Sequence, residues 1–145
     1  MTEENCLFCR IVSGEVAAVM VYEDANTLAF LDHRPLFPGH TLLVPREHYE
    51  TLGDLPATQV GPLFKNVQLI SRAVESAMEA EGSFVAMNNR VSQSVPHLHV
   101  HVVPRRKKDG LKGFFWPRTK YKDAEDMEEV KKKIATALKK TTQPK

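Results

Sequence analysis

The chain has 145 residues, a formal net charge of +2, and 42% hydrophobic and 26% charged residues. That length fits one domain, read here as 1–145 with a core of about 5–105 and a C-terminal aromatic segment and helix over 106–145, and the composition is ordinary for a globular protein. Nothing in the overall charge argues for nucleic acid or a membrane as partner, and no apolar run is long enough to cross a bilayer.

The N-terminus, Met1-Thr2-Glu3-Glu4, is acidic and unlike a signal peptide, so a cytoplasmic location is the expectation. Cys6 and Cys9 are the only cysteines and stand two residues apart. In a reducing compartment such a pair is more often a metal or redox site than a disulfide. No strand precedes Cys6, which leaves metal binding or plain burial. Cys6 to Ser13 reads as a short helical turn with Leu7, Phe8 and Ile11 on its apolar side and Gly14 as its end.

Val19–Glu23 and Thr27–Asp32 read as strands of a hairpin turning at Glu23-Asp24-Ala25-Asn26. Arg34 to Gly39 is a loop by its prolines and glycine, and His40–Pro45 a third strand. From Ala57 to Glu81 apolar residues recur at Val60, Leu63, Phe64, Val67, Ile70, Val74, Ala77 and Met78, which makes one helix face. Pro62 is expected to start or kink that helix, and Gly82 to stop it. Ser83–Asn88 reads as a strand, Asn89–Pro96 as a polar loop and His97–Pro104 as a strand. Gly110–Pro117 is irregular and aromatic. Asp123–Lys139 is a second helix, acidic early and basic late, with Met127, Val130, Ile134, Ala137 and Leu138 on one face. The order of elements predicts an α+β domain with a mostly antiparallel sheet.

In a strand, alternate side chains share a face, so His97, His99 and His101 point one way and Leu98, Val100 and Val102 the other, towards core. Neighbouring imidazoles would lie roughly 6.5 Å apart along the strand. A lone strand histidine is usually structural, but three in alternation backed by aliphatics indicate a site. Two chemistries are open. Imidazole suits zinc, although three in strict alternation span too far to meet around one tetrahedral ion. Imidazole is also a largely neutral nucleophile near pH 7, able to split a phosphoryl displacement into two easier steps while its neighbours donate to the developing charge.

The run His97-Leu98-His99-Val100-His101-Val102-Val103, with Gln93-Ser94-Val95 before it, resembles the histidine-triad (HIT) superfamily. Cys6-Leu7-Phe8-Cys9-Arg10-Ile11, Leu28-Ala29-Phe30-Leu31-Asp32 and Pro38-Gly39-His40-Thr41-Leu42-Leu43-Val44-Pro45-Arg46-Glu47-His48 are similar to further blocks of that family in order and spacing. The resemblance runs from about residue 5 to 105 and implies a HIT-like fold: a five-stranded, mostly antiparallel sheet with two main helices, dimerising. The implied function is hydrolysis of a bond to the α-phosphate of a purine nucleotide, with His99 as nucleophile and His101 holding the phosphoryl oxygens. Ser94 would bond the phosphate or assist the leaving group. Asn88 would touch phosphate or ribose and Asp32 the ribose; Phe30 and Leu31 would line the base pocket. Gln93 belongs to the same nucleotide-binding set. A subset of the family binds structural zinc, and the matching residues are Cys6, Cys9, His48 and His97, a chemically sensible closed set.

Two features depart from the pattern. Between Asn88 and His97 the loop is two residues shorter than in many members and contains no glycine. Arg105-Arg106-Lys107-Lys108 lies where a leaving group or polyphosphate tail could pass, or is a solvated turn. Ser94 and the Cys-x-x-Cys resemble phosphoramidase-like (P–N) members; Pro104-Arg105 is similar to dinucleoside polyphosphate hydrolases (P–O–P). The alternative from another class is a zinc-stabilised nucleotide-binding or adaptor protein with little turnover. His40 after Pro-Gly reads as a structural residue bordering the nucleotide, and Phe114-Phe115-Trp116-Pro117 as core or dimer contact.

Overall fold

The computed structural model describes residues 3–111 and 118–141; the aromatic run Phe114–Pro117 lies outside them. The chain divides into two compact units, Met1–Asp109 and Gly110–Lys145.

The first unit opens with α1 (Leu7–Val12). Cys6 is its N-cap, in extended backbone, and its thiol accepts the Cys9 N–H, which satisfies one of the amides a helix start leaves unpaired. Strands β1 (Met20–Glu23), β2 (Thr27–Leu31) and β3 (Thr41–Pro45) follow, then α2 (Ala57–Ala77), β4 (Gly82–Ala86) and β5 (Val100–Arg105). The five strands form one antiparallel sheet in the order β1-β2-β3-β5-β4. The β1–β2 turn is fastened by the Asp24 carboxylate, which accepts from the Asn26 and Thr27 amides and from Asn66 Nδ2 on α2.

Strand periodicity sorts the core into two layers. Ala29, Leu43, Leu98, Val100 and Val102 face α2 and pack on Leu63, Val67, Ile70 and Val74. Leu28, Phe30, Leu42 and Val44 face the other way, onto Cys6, Phe8 and Ile11 of the N-terminal turn. The expected aliphatic backing of the histidines is therefore present, with Leu98, Val100 and Val102 fully buried.

Several boundaries differ from expectation. α2 starts at Ala57 and carries Pro62 inside it. It ends at Ala77, before Gly82, because Glu79 turns the chain through the left-handed region at φ 50°; Gly82 belongs to β4 instead. Phe64, placed on the core face by its spacing, is 38% exposed. The last strand begins at Val100, not at His97. The His97 and Leu98 amides bond to the carbonyls of Val95 and Tyr49, so the ladder to β3 starts only at Val100–Leu43. A short 3-10 turn, Leu52–Asp54, went unread; Asp54 accepts the Thr51 amide there.

Gly39 stands just before His40, the residue that leads into β3, which starts one residue later than the expected His40. Its φ is +97°, and a Cβ there would sit 2.6 Å from Met78 Cγ. Gly39→Ala is expected to destabilise the protein by about 1–3 kcal/mol, through backbone strain plus overpacking. Urea unfolding measures it; an unchanged midpoint would show that Met78 and the turn yield at no cost.

In the second unit, α3 (Ala124–Thr141) has Asp123 accepting the Asp126 amide at its start and Lys139 and Lys140 in its last turn, as the helix dipole favours. None of its described residues is buried. No described helix is long and apolar enough to cross a membrane.

Candidate active site and metal centre

β5 and the two histidines before it run along the middle of the sheet, between β3 and β4. The ring centroids of His99 and His101 are 5.0 Å apart, closer than ideal strand spacing because His99 lies ahead of the ladder. Phe8 of α1 meets the rings of both His97 and His99 edge-on, at 5.9 and 5.0 Å.

The hydrogen bonds of His99, His40 and His101 fix which nitrogen of each carries the proton. His99 Nδ1 donates to the His97 carbonyl at 2.7 Å, leaving Nε2 with its lone pair. The Leu36 amide donates to His40 Nδ1 at 3.1 Å, so His40 Nε2 holds the proton and donates to His101 Nδ1 at 3.0 Å. His101 must then carry its own proton on Nε2. The outcome is one basic nitrogen on His99 beside one N–H donor on His101. His40, read as structural from the sequence, sets the tautomer of His101; only the turn contact with Leu36, four residues back, could have signalled it.

Burial lowers the pKa of His99, although its bond to the His97 carbonyl and nearby Asp32 pull the other way. Burial, with His99 and His40 beside it, brings His101 down to about 4, and burial also lowers His40 against the pull of Asp32. Folded-state values below the ordinary 6.5 mean that the unfolded chain binds these protons more readily. The stability supplied by neutral His40 and His101 is thus present above about pH 6.5 and lost as pH falls towards 4. Urea midpoints measured across that window should decline, and His101→Asn should flatten the slope; parallel profiles would refute the assignment.

Both rings line a cleft of about 620 Å³ with Phe30, Leu31, Asp32 and Ser94. Its far end is apolar, walled by Leu7, Phe8 and Ile11 of α1 and by Val16–Val19. Asp32 stands one residue past β2; Oδ1 accepts the Arg34 amide at 2.9 Å and Oδ2 lies 3.7 Å from His40 Nε2. Asp32, His40 and His101 are close enough to suggest a second metal site. The Leu36 amide argues against it, since a cation on His40 Nε2 would force a proton onto Nδ1, donor against donor.

The other two residues assigned to the nucleotide are turned elsewhere. Asn88 Nδ2 donates to the Ser92 carbonyl. Gln93 is engaged at both ends of its amide: Oε1 accepts the Arg90 amide and Nε2 donates to the Glu50 carbonyl. In the short glycine-free loop, Arg90 and Ser92 adopt φ of 69° and 60°, the conformation glycine would otherwise supply. The basic run is also occupied. Arg105 makes two bonds to Asp109, and Arg106 donates to the Met78 carbonyl.

On the α1 side of His97 lies a second cluster. Cys6, Cys9, His48 and His97 bring their ligand atoms within 4.8 Å of one another. His97 Nδ1 is 3.4 Å from both thiol sulfurs, and His48 Nδ1 is 3.3 Å from Cys9 Sγ. His97 Nε2 donates to the Pro45 carbonyl at 2.8 Å, which orients the ring and leaves Nδ1 as a lone pair towards the sulfurs. His48 Nε2 is buried without a partner. Tetrahedral zinc, with Zn–S of about 2.3 Å and Zn–N of about 2.0 Å, sets sulfur and nitrogen about 3.5 Å apart. The donor set and its spacing therefore fit zinc. Burial and the neighbouring Cys6 push the Cys9 thiol up to about 12.

Residues 13–108 match the HIT domain family. The chain is 36% identical over 111 residues to "Adenylylsulfatase HINT3" of Arabidopsis thaliana, covering 75% of this chain and 56% of that protein. It is 30% identical over 119 residues to "Adenosine 5'-monophosphoramidase HNT1" of Candida albicans, covering 78% of each. Among solved structures, SMU.412c from Streptococcus mutans superposes with a TM-score of 0.85 at 35% identity, over 92% of this chain and 85% of that one. A zinc-bound histidine triad family protein from Mycobacterium smegmatis superposes at 0.72 with 36% identity, over 94% and 97%.

Proposed function

The chain belongs to the HIT domain family, and from that membership we propose that it hydrolyses a bond to the α-phosphate of a purine nucleotide through a covalent nucleotidyl-histidine. The observation that carries the reading is the pair of opposed tautomers in one cleft: the His99 lone pair and the His101 N–H.

In the proposed reaction, His99 Nε2 attacks the α-phosphorus; the N–P bond forms as the bond to the leaving group breaks. The His97 carbonyl, already bonded to Nδ1–H, stabilises the positive charge that then develops on the ring. His101 Nε2–H donates to a phosphoryl oxygen, backed by His40. Ser94 Oγ supplies the leaving group with its proton or a hydrogen bond. Water then attacks the same phosphorus, and the proton it gives up replaces the one Ser94 Oγ passed to the leaving group; the N–P bond breaks, releasing the nucleoside monophosphate and restored neutral His99. Asp32 accepts from the ribose hydroxyls, and Phe30 and Leu31 hold the base. Two related proteins are named for reactions of adenylyl compounds, which supports a nucleotide substrate. The engagement of Arg105 by Asp109 favours P–N over polyphosphate substrates.

We further propose that Cys6, Cys9, His48 and His97 hold one structural zinc ion, supported by the spacing above and by the zinc-bound neighbour. A homodimer is part of the same reading, and the uncovered edge of β4, with Val85 41% exposed, is a surface that suits it. Nucleic acid and membranes are not partners in this reading, and the cell compartment is the cytoplasm.

The test is AMP release from an adenosine phosphoramidate and from diadenosine tri- and tetraphosphate. The phosphoramidate should turn over fastest. Binding of AMP with no release from any of the three would instead establish the low-turnover nucleotide-binding or adaptor alternative, for which the shortened loop argues.

A further inference from the structure

The run Asn89–Leu98 and the run Pro45–Leu52, at and after the end of β3, are laced together by four bonds. The Leu98 amide donates to the Tyr49 carbonyl at 2.6 Å, and His97 Nε2 to the Pro45 carbonyl. Gln93 Nε2 donates to the Glu50 carbonyl at 2.6 Å, and the Leu52 amide donates to Asn89 Oδ1 at 2.8 Å. Each of the two segments also supplies one member of the Cys/His cluster, His48 from one and His97 from the other. Ser94, next to Gln93, lines the cleft with His99 and His101. One pair of chain segments thus carries two of the four cluster residues, His48 and His97, and Ser94 in the wall of the cleft.

We propose that Gln93 and Asn89 are positioning residues that couple the metal centre to the nucleotide cleft, so that nucleotide binding tightens the hold on zinc and zinc tightens the hold on nucleotide. The physical basis is that the side-chain amides replace what glycine-free backbone cannot do alone. Arg90 and Ser92 sit in the left-handed region, which side chains other than glycine adopt only under constraint, and the bonds of Gln93 and Asn89 to segment 50–52 hold the loop there. Bridging His48 to His97 by an ion constrains the same two segments from the other end. Two ligands that order one shared element must help each other, and by the same factor in each direction. The coupling rests on the zinc reading above.

The experiment follows zinc release from the loaded full-length protein into excess chelator, with a colorimetric indicator, with and without AMP. AMP should slow release from the wild type by about 10-fold, within the usual range of coupling between sites. Gln93→Ala and Asn89→Ala should each release zinc about 10-fold faster and lose most of the AMP effect. Val74→Ala, a core change on α2 that removes none of the four bonds, serves as control and should release zinc within two-fold of the wild type despite its lower stability. Release that ignores AMP in the wild type overturns the proposal, even if the variants fail to fold. So does release from both variants that matches the wild type. A wild type that purifies folded and without zinc sinks the metal reading itself, a different result from zinc that is bound but uncoupled.

Discussion

His99→Ala is expected to lower AMP release by about 10⁴-fold or more, leaving only what binding and orientation contribute. The reasoning is specific to one atom. Nδ1 of that ring is committed to the His97 carbonyl at 2.7 Å, so the nucleophile is Nε2 or nothing on this residue. His101→Ala should cost less, about 10²–10³-fold, because it removes one donor from the phosphoryl oxygens while the nucleophile stays. A rapid-quench experiment separates the roles. Wild type and His101→Ala should both form a protein-bound nucleotidyl group that is labile in acid, as an N–P bond is; His99→Ala should form none. Equal turnover by His99→Ala and wild type would refute the covalent mechanism.

Removal of the proposed zinc ion is expected to have the second large effect. An ion that binds only the folded form, at a free concentration about a thousand times its Kd, stabilises by about 4 kcal/mol. For a unit of this size that corresponds to roughly 15 °C in Tm. Chelator treatment of the wild type should produce that fall, and Cys6→Ser or His48→Ala should reproduce it with chelator adding little. The loss should be felt first at α1, since Cys6 is its N-cap and Cys9 lies in its first turns. A chelated protein with an unchanged Tm would mean that the four residues are simply a buried polar cluster.

The parts of this site that could be read in the sequence are those with local periodicity. Alternation placed His97, His99 and His101 opposite Leu98, Val100 and Val102, and that sorting by face is what the core shows. The start of the strand was not readable, because the amides of His97 and Leu98 go to loop carbonyls, one of them at Tyr49. The fate of Gln93 was hidden for the same reason: its partner, Glu50, is 43 positions away. Helical spacing misplaced Phe64, since a stripe at three and four residues is wider than the surface α2 buries. Pro62 misled on the start of α2 because a proline near a helix N-terminus deletes few backbone bonds. Arg105 looked available to substrate until Asp109, four residues on, was seen to hold it.

The cleft has walls of unequal construction. On one side is β5, flanked by strands on both edges and backed by fully buried valines. On the other is a two-turn helix and the extended run Val16–Val19. Division of labour follows from this asymmetry. On the proposed reading, the run His97–His101 carries the reacting nitrogen and the opposite jaw meets the base, so variation in Leu7, Ile11 or Val16–Val19 is expected to retune substrate range without moving that nitrogen. Anyone wishing to broaden what this protein accepts should work on that jaw and leave the strand alone.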